Sequence, residues 1–438
     1  MKKTVLSFLI IFLLMMNLSG VEASLQKGKE VLPKNDGWAS YGDGTSGGSE
    51  ASKDHIYTVK SKAEFIQALG GDNETNDNND TPKIIYIKGI IDLNVNERNE
   101  PIGADYYADP GYDFQAYLDA YHPDKWGYEE EVSGPLEEAR ARSQKNQENE
   151  IVLRIGSNTS IIGLGKNAEI RGGSLLLDNV DNVIIRNITF EAPIDFFPQW
   201  DPTDGDFGEW NSEYDTISLI NGTHHIWVDH NTFTDGRYHD ADTGVYFGRI
   251  YQQHDGLLDI TNGSSYVTAS YNVFENHDKV SLIGSSDNRT QDREALKVTL
   301  HHNYYKNVTQ RLPRVRFGQV HVYNNYYEFN TQSDYSFDYA LGVGKESNIY
   351  AENNYFKFDS MIDPSKIIKD WKGTTIYENG SVVQRKLWIQ KVDLVEAFNA
   401  SNSIQLTENV NWQPTLYRNI QPTLLIPTVV KLHAGAGK

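Results

Sequence analysis

One phrase is written twice in close succession. Val298-Thr-Leu-His-His-Asn-Tyr-Tyr305 returns 22 residues later as Val320-His-Val-Tyr-Asn-Asn-Tyr-Tyr327. Looser copies run as Val183-Ile-Ile-Arg-Asn187-Ile-Thr-Phe190, Ile226-Trp-Val-Asp-His-Asn231-Thr-Phe233, Val267-Thr-Ala-Ser-Tyr-Asn272-Val-Phe274 and Ile349-Tyr-Ala-Glu-Asn-Asn354-Tyr-Phe356. Between the markers Asn187, Asn231, Asn272, Asn303, Asn325 and Asn354 the intervals are 44, 41, 31, 22 and 29. One alternating apolar run per unit, with a period in the twenties and insertions, predicts a solenoid of stacked β coils. Each strand turns every second side chain inward. The Asn that closes each run suits a bend, because Asn tolerates left-handed backbone and bonds locally. Stacking would set these asparagines in a ladder and the following aromatics in a pile. A β-sandwich is the competing all-β architecture, but it calls for turn signals every 8–12 residues.

The ends and the insertion read differently. Lys2 and Lys3, the apolar run from Val5 to Met16 and the small-residue site Val21-Glu22-Ala23 predict a signal peptide over residues 1–23. That stretch is short for a membrane anchor. Export is therefore expected, with residues 24–438 as one β-helical domain. Ser61-Lys-Ala-Glu64 is a capping box opening a helix over 63–69, suited to cover the exposed end of a solenoid. Lys83 to Ile91 is the first strong strand. Residues 93–149 are charged, with helix signals at Tyr112–Tyr121 and Pro135–Gln144, and read as an insertion packed on one side. Strands resume at Ile151 and run to about Phe358, and the tail 360–438 is expected to return along the coil.

Charge and composition limit the partners. A net charge of −20 argues against nucleic acid or an anionic membrane surface. No cysteine is present, so an exported chain of this kind has no disulfide and must be held by its core. A monomer is expected.

Two groups of side chains could carry chemistry. Asp255 and Asp259, in His254-Asp-Gly-Leu-Leu-Asp259, share a strand face at spacing i, i+4. A third carboxylate from a neighbouring coil, with Asp215 as the candidate, would complete an oxygen-rich site suited to Ca²⁺. The plain alternative is that Asp255-Gly256 is a turn and Asp215 a strand-end cap. The basic group is Lys279, Arg311, Arg314 and Arg316, with Arg311-Leu-Pro-Arg-Val-Arg316 placing three arginines in six residues. Lys279 lies one coil earlier and can face them. Arg314 and Arg316 share a face by alternation, and Pro313 makes a bend beside Arg311. Solvated surface charge is the ordinary fate of such residues. His230, His254, His277, His301, His302 and His321 show no zinc-type spacing and read as structural partners, with His301 and His302 on opposite faces of one strand.

Trp227-Val-Asp-His230, His254–Asp259, His277-Asp-Lys279, Arg311-Leu-Pro-Arg-Val-Arg-Phe-Gly318, Ser157-Asn-Thr-Ser-Ile-Ile-Gly163 and Ala434-Gly-Ala-Gly-Lys438 together resemble the secreted pectate lyases, in order, over most of residues 37–438. The resemblance implies a right-handed parallel β-helix and Ca²⁺-dependent eliminative cleavage of polygalacturonate. It implies Asp215, Asp255 and Asp259 as calcium ligands, Arg311 as base, and Lys279 and Arg316 as substrate-binding residues. The 93–149 insertion is larger and more helical than the family pattern. A pectin lyase acting on methyl-esterified chains without calcium would not need the acidic trio. A hydrolase would need paired carboxylates as acid and base, and no Asp-Asp pair occurs. A non-catalytic polysaccharide-binding β-helix would have no use for Lys279 with Arg311. An Arg base would need a lowered pKa, which Lys279, Arg316 and Ca²⁺ are expected to supply, giving an alkaline optimum.

Overall fold

The computed structural model describes residues 28–359 and 361–438; the expected signal peptide, 1–23, lies outside them. The chain winds into three long sheets, of ten, ten and eight strands. One full coil contributes a strand to each: Ser265–Ser270, Val273–Lys279 and Leu282–Ile283, then Lys297–His301, Tyr304–Gln310 and Arg314–Val315 one coil later. Like residues stack on like. Val267, Val298, Val320 and Ile349 are in register across four coils, all fully buried. The pairing is parallel along the stack, so the architecture is a parallel β-helix and the sandwich is excluded. A continuous apolar interior follows from the alternation, with roughly 1.5–3 kcal/mol for each large apolar side chain buried.

The repeat motif builds two internal columns. Phe190, Phe233, Phe274, Tyr305, Tyr327 and Phe356 stack ring on ring, with centroids 4.4–5.2 Å apart. Beside them Asn231, Asn272, Asn303, Asn325 and Asn354 form an amide ladder. Each side-chain Nδ2 donates to the next Oδ1 at 3.1–3.2 Å. Each Oδ1 also accepts the backbone N–H of the preceding rung, at 2.9–3.0 Å. The ladder thus satisfies buried backbone donors at every corner.

Two expectations about this corner are corrected. The left-handed residue is not the ladder Asn but its predecessor: His230, Tyr271, His302, Asn324 and Asn353 have φ of 50–55°. Asn187 belongs to that set, with φ 61°. Its neighbour Ile188 takes the ladder position and donates to Asn231 Oδ1 at 3.0 Å, so the first marker is one residue off. His301 and His302 likewise do not diverge. The left-handed turn at His302 swings its ring against that of His301, Nδ1 to Nδ1 at 2.8 Å.

Lys62–Leu69 is the end-capping helix, with Glu64 N–H donating to the Ser61 hydroxyl and Phe65, Ala68 and Leu69 buried. At the other end Trp388–Lys391 pairs antiparallel with Val382–Arg385 and closes one sheet. The tail does run back along the coil. Asn353 Nδ2 donates to the Gln421 carbonyl, Gly435 N–H to the Tyr271 carbonyl, and Gly437 N–H to Asn187 Oδ1, each step lying nearer the start of the coil. Among the described residues no helix is long and apolar enough to cross a membrane.

The insertion holds four helices, Ala104–Tyr107, Phe114–Ala120, Pro123–Trp126 and Pro135–Ile151. Tyr117 and Tyr121 pack with Trp200, Trp210 and Tyr251 in a buried aromatic cluster. That cluster supports two short hairpins, Gln199–Asp201 with Glu209–Asn211 and Val245–Tyr246 with Arg249–Ile250. An ion pair between Arg249 and Glu209 joins them. Both hairpins reach the rim of the groove described next.

Candidate active site

Four successive coils bring the candidate residues together through one backbone ladder. Thr216 N–H donates to the Gly256 carbonyl, Leu257 N–H to the Val280 carbonyl, and Ser281 N–H to the Arg311 carbonyl, at 2.8–3.0 Å. Asp215, Asp255, Lys279 and Arg311 stand beside those rungs, so residues far apart in sequence become lateral neighbours. Lys279 and Arg311 line a groove of about 710 Å³, with Arg314, Trp371, Gln252, Asp240 and Tyr335 on its walls.

The carboxylates converge around a glycine. Asp215 Oδ1 accepts from Gly256 N–H at 2.9 Å and its Oδ2 accepts from Ser218 at 2.7 Å. Asp259 Oδ1 accepts from Leu282 N–H at 2.9 Å. A Cβ at Gly256 would come within 2.5 Å of Asp259 Oδ1 and 2.6 Å of Asp215 Oδ1. Only glycine leaves both oxygens where they are. Burial, then the Asp255 charge, pushes Asp215 up to about 7. Burial, then Asp215, pushes Asp259 well above the usual range. Burial works the same way on Asp255, but Lys279 and Arg311 hold it below the ordinary value. The Lys279 ammonium lies 3.1 Å from Asp255 Oδ1.

An all-oxygen set of three carboxylates, two of them pushed up by their neighbours, fits a hard divalent cation, which would relieve that repulsion. The tightest acidic group among the described residues is nevertheless elsewhere. Ligand atoms of Asp235, Asp240 and His254 all lie within 4.8 Å of one another. Here the histidines take the part of a cation. His254 Nδ1 is 2.9 Å from Asp240 Oδ1, and His277 Nδ1 is 2.5 Å from Asp235 Oδ1. Burial opposes charge on both rings, yet Asp235 prevails, lifting His254 to about 9 and raising His277 as well. Tyr335 donates to the second oxygen of Asp235. In this network His254 and His277 are structural partners, as their spacing suggests; no motif in the chain points to Asp235 or Asp240.

The arginines divide. Arg311 has φ 59°, a left-handed conformation that costs a non-glycine residue roughly 1–2 kcal/mol and is common at functional sites. Its Nε is buried without a hydrogen-bond partner. The expectation that its neighbours lower its pKa is not met by the protein groups alone. Burial pulls it down, but Asp255 and Asp259 outweigh burial and raise it. Arg314 is the depressed one, to about 10, through burial and then Arg316, with its guanidinium 3.8 Å over the Trp371 ring. Arg316 does not line the groove of Lys279 and Arg311. It opens on a second hollow, of about 570 Å³, with Lys345 and Lys372. There its Nε donates to Asp287 Oδ1 at 2.7 Å and a terminal nitrogen to the Gly284 carbonyl at 2.9 Å.

Comparison with known proteins fits this geometry. Residues 129–406 match the sequence profile of a family described as pectate lyase. A pectate lyase of Bacillus subtilis (strain 168) is 48% identical over 412 residues, 94% of each chain. Pectate lyase E of Dickeya chrysanthemi is 36% identical over 390 residues, covering 87% of this chain and 83% of that one. Among solved structures, the thermostable pectate lyase PL 47 superposes with TM-score 0.92 at 60% identity, covering 94% of this chain and 99% of that one. A pectate lyase bound to a hexasaccharide superposes with TM-score 0.87 at 47% identity, covering 94% and 98%.

Proposed function

The chain belongs to the pectate lyase family and is a polysaccharide lyase, and we propose that it cleaves (1→4)-α-D-galacturonan, polygalacturonate, by calcium-dependent β-elimination with Arg311 as the base. The observation that supports this reading is the four-coil ladder that stacks Asp215, Asp255, Lys279 and Arg311, with Asp255 and Asp259 near enough to act on Arg311 and the two basic groups lining one groove. The solved relative with a hexasaccharide supports a sugar chain as the ligand.

Elimination removes the C5 proton, next to the C6 carboxylate, and breaks the C4–O bond, leaving a 4,5-unsaturated end. Asp215, Asp255 and Asp259 would hold Ca²⁺, which supplies charge withdrawal at the substrate carboxylate and cancels the acidic field on Arg311. Burial already works against charge on Arg311, and a cation held by the trio would act in the same direction. Lys279 then exchanges Asp255 for a substrate carboxylate and stabilises the charge developing as the proton leaves. Arg316 would bind a further carboxylate, in competition with Asp287. The acidic trio counts against pectin lyase activity on methyl-esterified chains, which has no use for it.

Residues 1–23 act in this reading as an export signal, and 24–438 as one monomeric catalytic domain working outside the cell.

The test is an ultraviolet assay. Polygalacturonate with calcium should give rising absorbance from the unsaturated product, and chelator should abolish it. New reducing ends without that absorbance mean hydrolysis, and full activity in chelator removes calcium from the account.

A further inference from the structure

We propose that His277, anchored by Asp235, is the positioning residue that fixes Asp255 and Lys279 relative to each other. This rests on the roles given above to those two residues.

The regular ladder between these two coils begins only at Leu257, whose N–H donates to the Val280 carbonyl. Asp255 lies just before it, in a stretch with no strand pairing of its own. His277 supplies the missing link. Its side chain is fully buried. Its Nε2 is 2.7 Å from the Asp255 carbonyl oxygen and 2.9 Å from that of Lys279. Carbonyl oxygens only accept, so Nε2 carries hydrogen and shares it between the two main chains. One ring atom therefore ties the coil bearing Asp255 to the coil bearing Lys279.

The ring is itself held. Nδ1 faces Asp235 Oδ1 at 2.5 Å, and Tyr335 occupies the other oxygen of Asp235. The approach to Asp255 is pinned from the far side as well. Gln253 N–H and His254 Nδ1 both bond Asp240 Oδ1, at 2.9 Å. Asp255 and Lys279 thus extend from backbone positions with little freedom. Their side chains meet at 3.1 Å as a result. Preorganisation of this kind matters in a site where misplacement by about 1 Å costs on the order of a hundredfold in rate.

Removing the ring alone would strip the buried Asp235 carboxylate of its His277 partner at Oδ1, which could unfold the protein. The comparison is therefore made in the Asp235→Asn background. The side-chain amide introduced there can still accept from Tyr335 and donate to Nδ1, so neutral His277 keeps its Nε2–H. Asp235→Asn alone should retain calcium affinity, measured by calorimetry without substrate, and kcat within about threefold. Adding His277→Phe, which keeps the ring volume and deletes the donor, should weaken calcium binding and kcat at least tenfold while the unfolding transition stays cooperative. If the double variant keeps both within threefold, or loses thermal stability alone, the proposal is overturned. A second measurement does not depend on any variant folding. In ¹⁵N-histidine NMR of the native protein at pH 8, His277 Nε2 should show the shift of a protonated nitrogen. A bare imine nitrogen there overturns the proposal. Native protein that binds no calcium contradicts the calcium reading, while the nitrogen shift still decides the role of His277.

Discussion

The Lys279 ammonium lies 3.1 Å from Asp255 Oδ1 and joins the acidic trio to the groove that Lys279 and Arg311 line. The pair explains why one carboxylate of the trio is held below the usual pKa while Asp215 and Asp259 rise. In the proposed reading Asp255 would hold the cation and Lys279 would be left to meet a substrate carboxylate.

Gly256→Ala tests the acidic pocket without touching a charge. The added methyl would press on Asp215 and Asp259 at 2.6 and 2.5 Å. We expect the calcium concentration for half-maximal activity to rise more than tenfold. Calcium titration of the lyase rate checks it, and an unchanged midpoint contradicts the pocket assignment.

Asn303→Ala tests the ladder. Asn303 donates to the Ala269 carbonyl and Asn325, and accepts from the N–H and the side chain of Asn272. Truncation strands several buried groups, at about 1–3 kcal/mol each where no water enters. A total loss of roughly 3–5 kcal/mol in denaturant unfolding is expected.

Stability should fall in acid through the histidine corner. Burial lowers His302 from 6.5 to about 4. Its folded pKa lies below its unfolded one, so between those values the unfolded chain binds more protons. The contribution is present above pH 6.5 and lost as pH falls toward 4, on the order of 3 kcal/mol. Melting temperature against pH should show this decline. His302→Asn should make it shallower without strain, since Asn324 and Asn353 already occupy the equivalent left-handed corner, while His301, also held well below its usual pKa by burial, keeps part of the decline.

Much of the coil was legible because the repeat states its own period. Register follows from the match between Val298–Tyr305 and Val320–Tyr327, where no insertion intervenes. Asn187 misled because its unit carries Ile188 at the ladder position, a one-residue shift that only backbone bonding reveals. The acidic and basic residues were legible as types. Their electrostatics were not, since Arg311 answers to Asp255 and Asp259 across coils rather than to its neighbours in sequence. Alternation put Arg314 and Arg316 on one strand face, but the strand itself holds only Arg314–Val315. It could not show that Asp287, from a loop, draws Arg316 into a separate hollow. The insertion's support of the groove rim depends on aromatic contacts to Trp200 and Trp210, which no local pattern announces.

Arg311→Lys is the most direct test of the account. Lysine keeps the positive charge but not the guanidinium reach. We predict that the variant binds polygalacturonate with affinity within a few-fold of the native protein and loses at least a thousandfold in the rate of ultraviolet product formation, at every pH from 7 to 11. Turnover within tenfold of native would show that some other group removes the C5 proton.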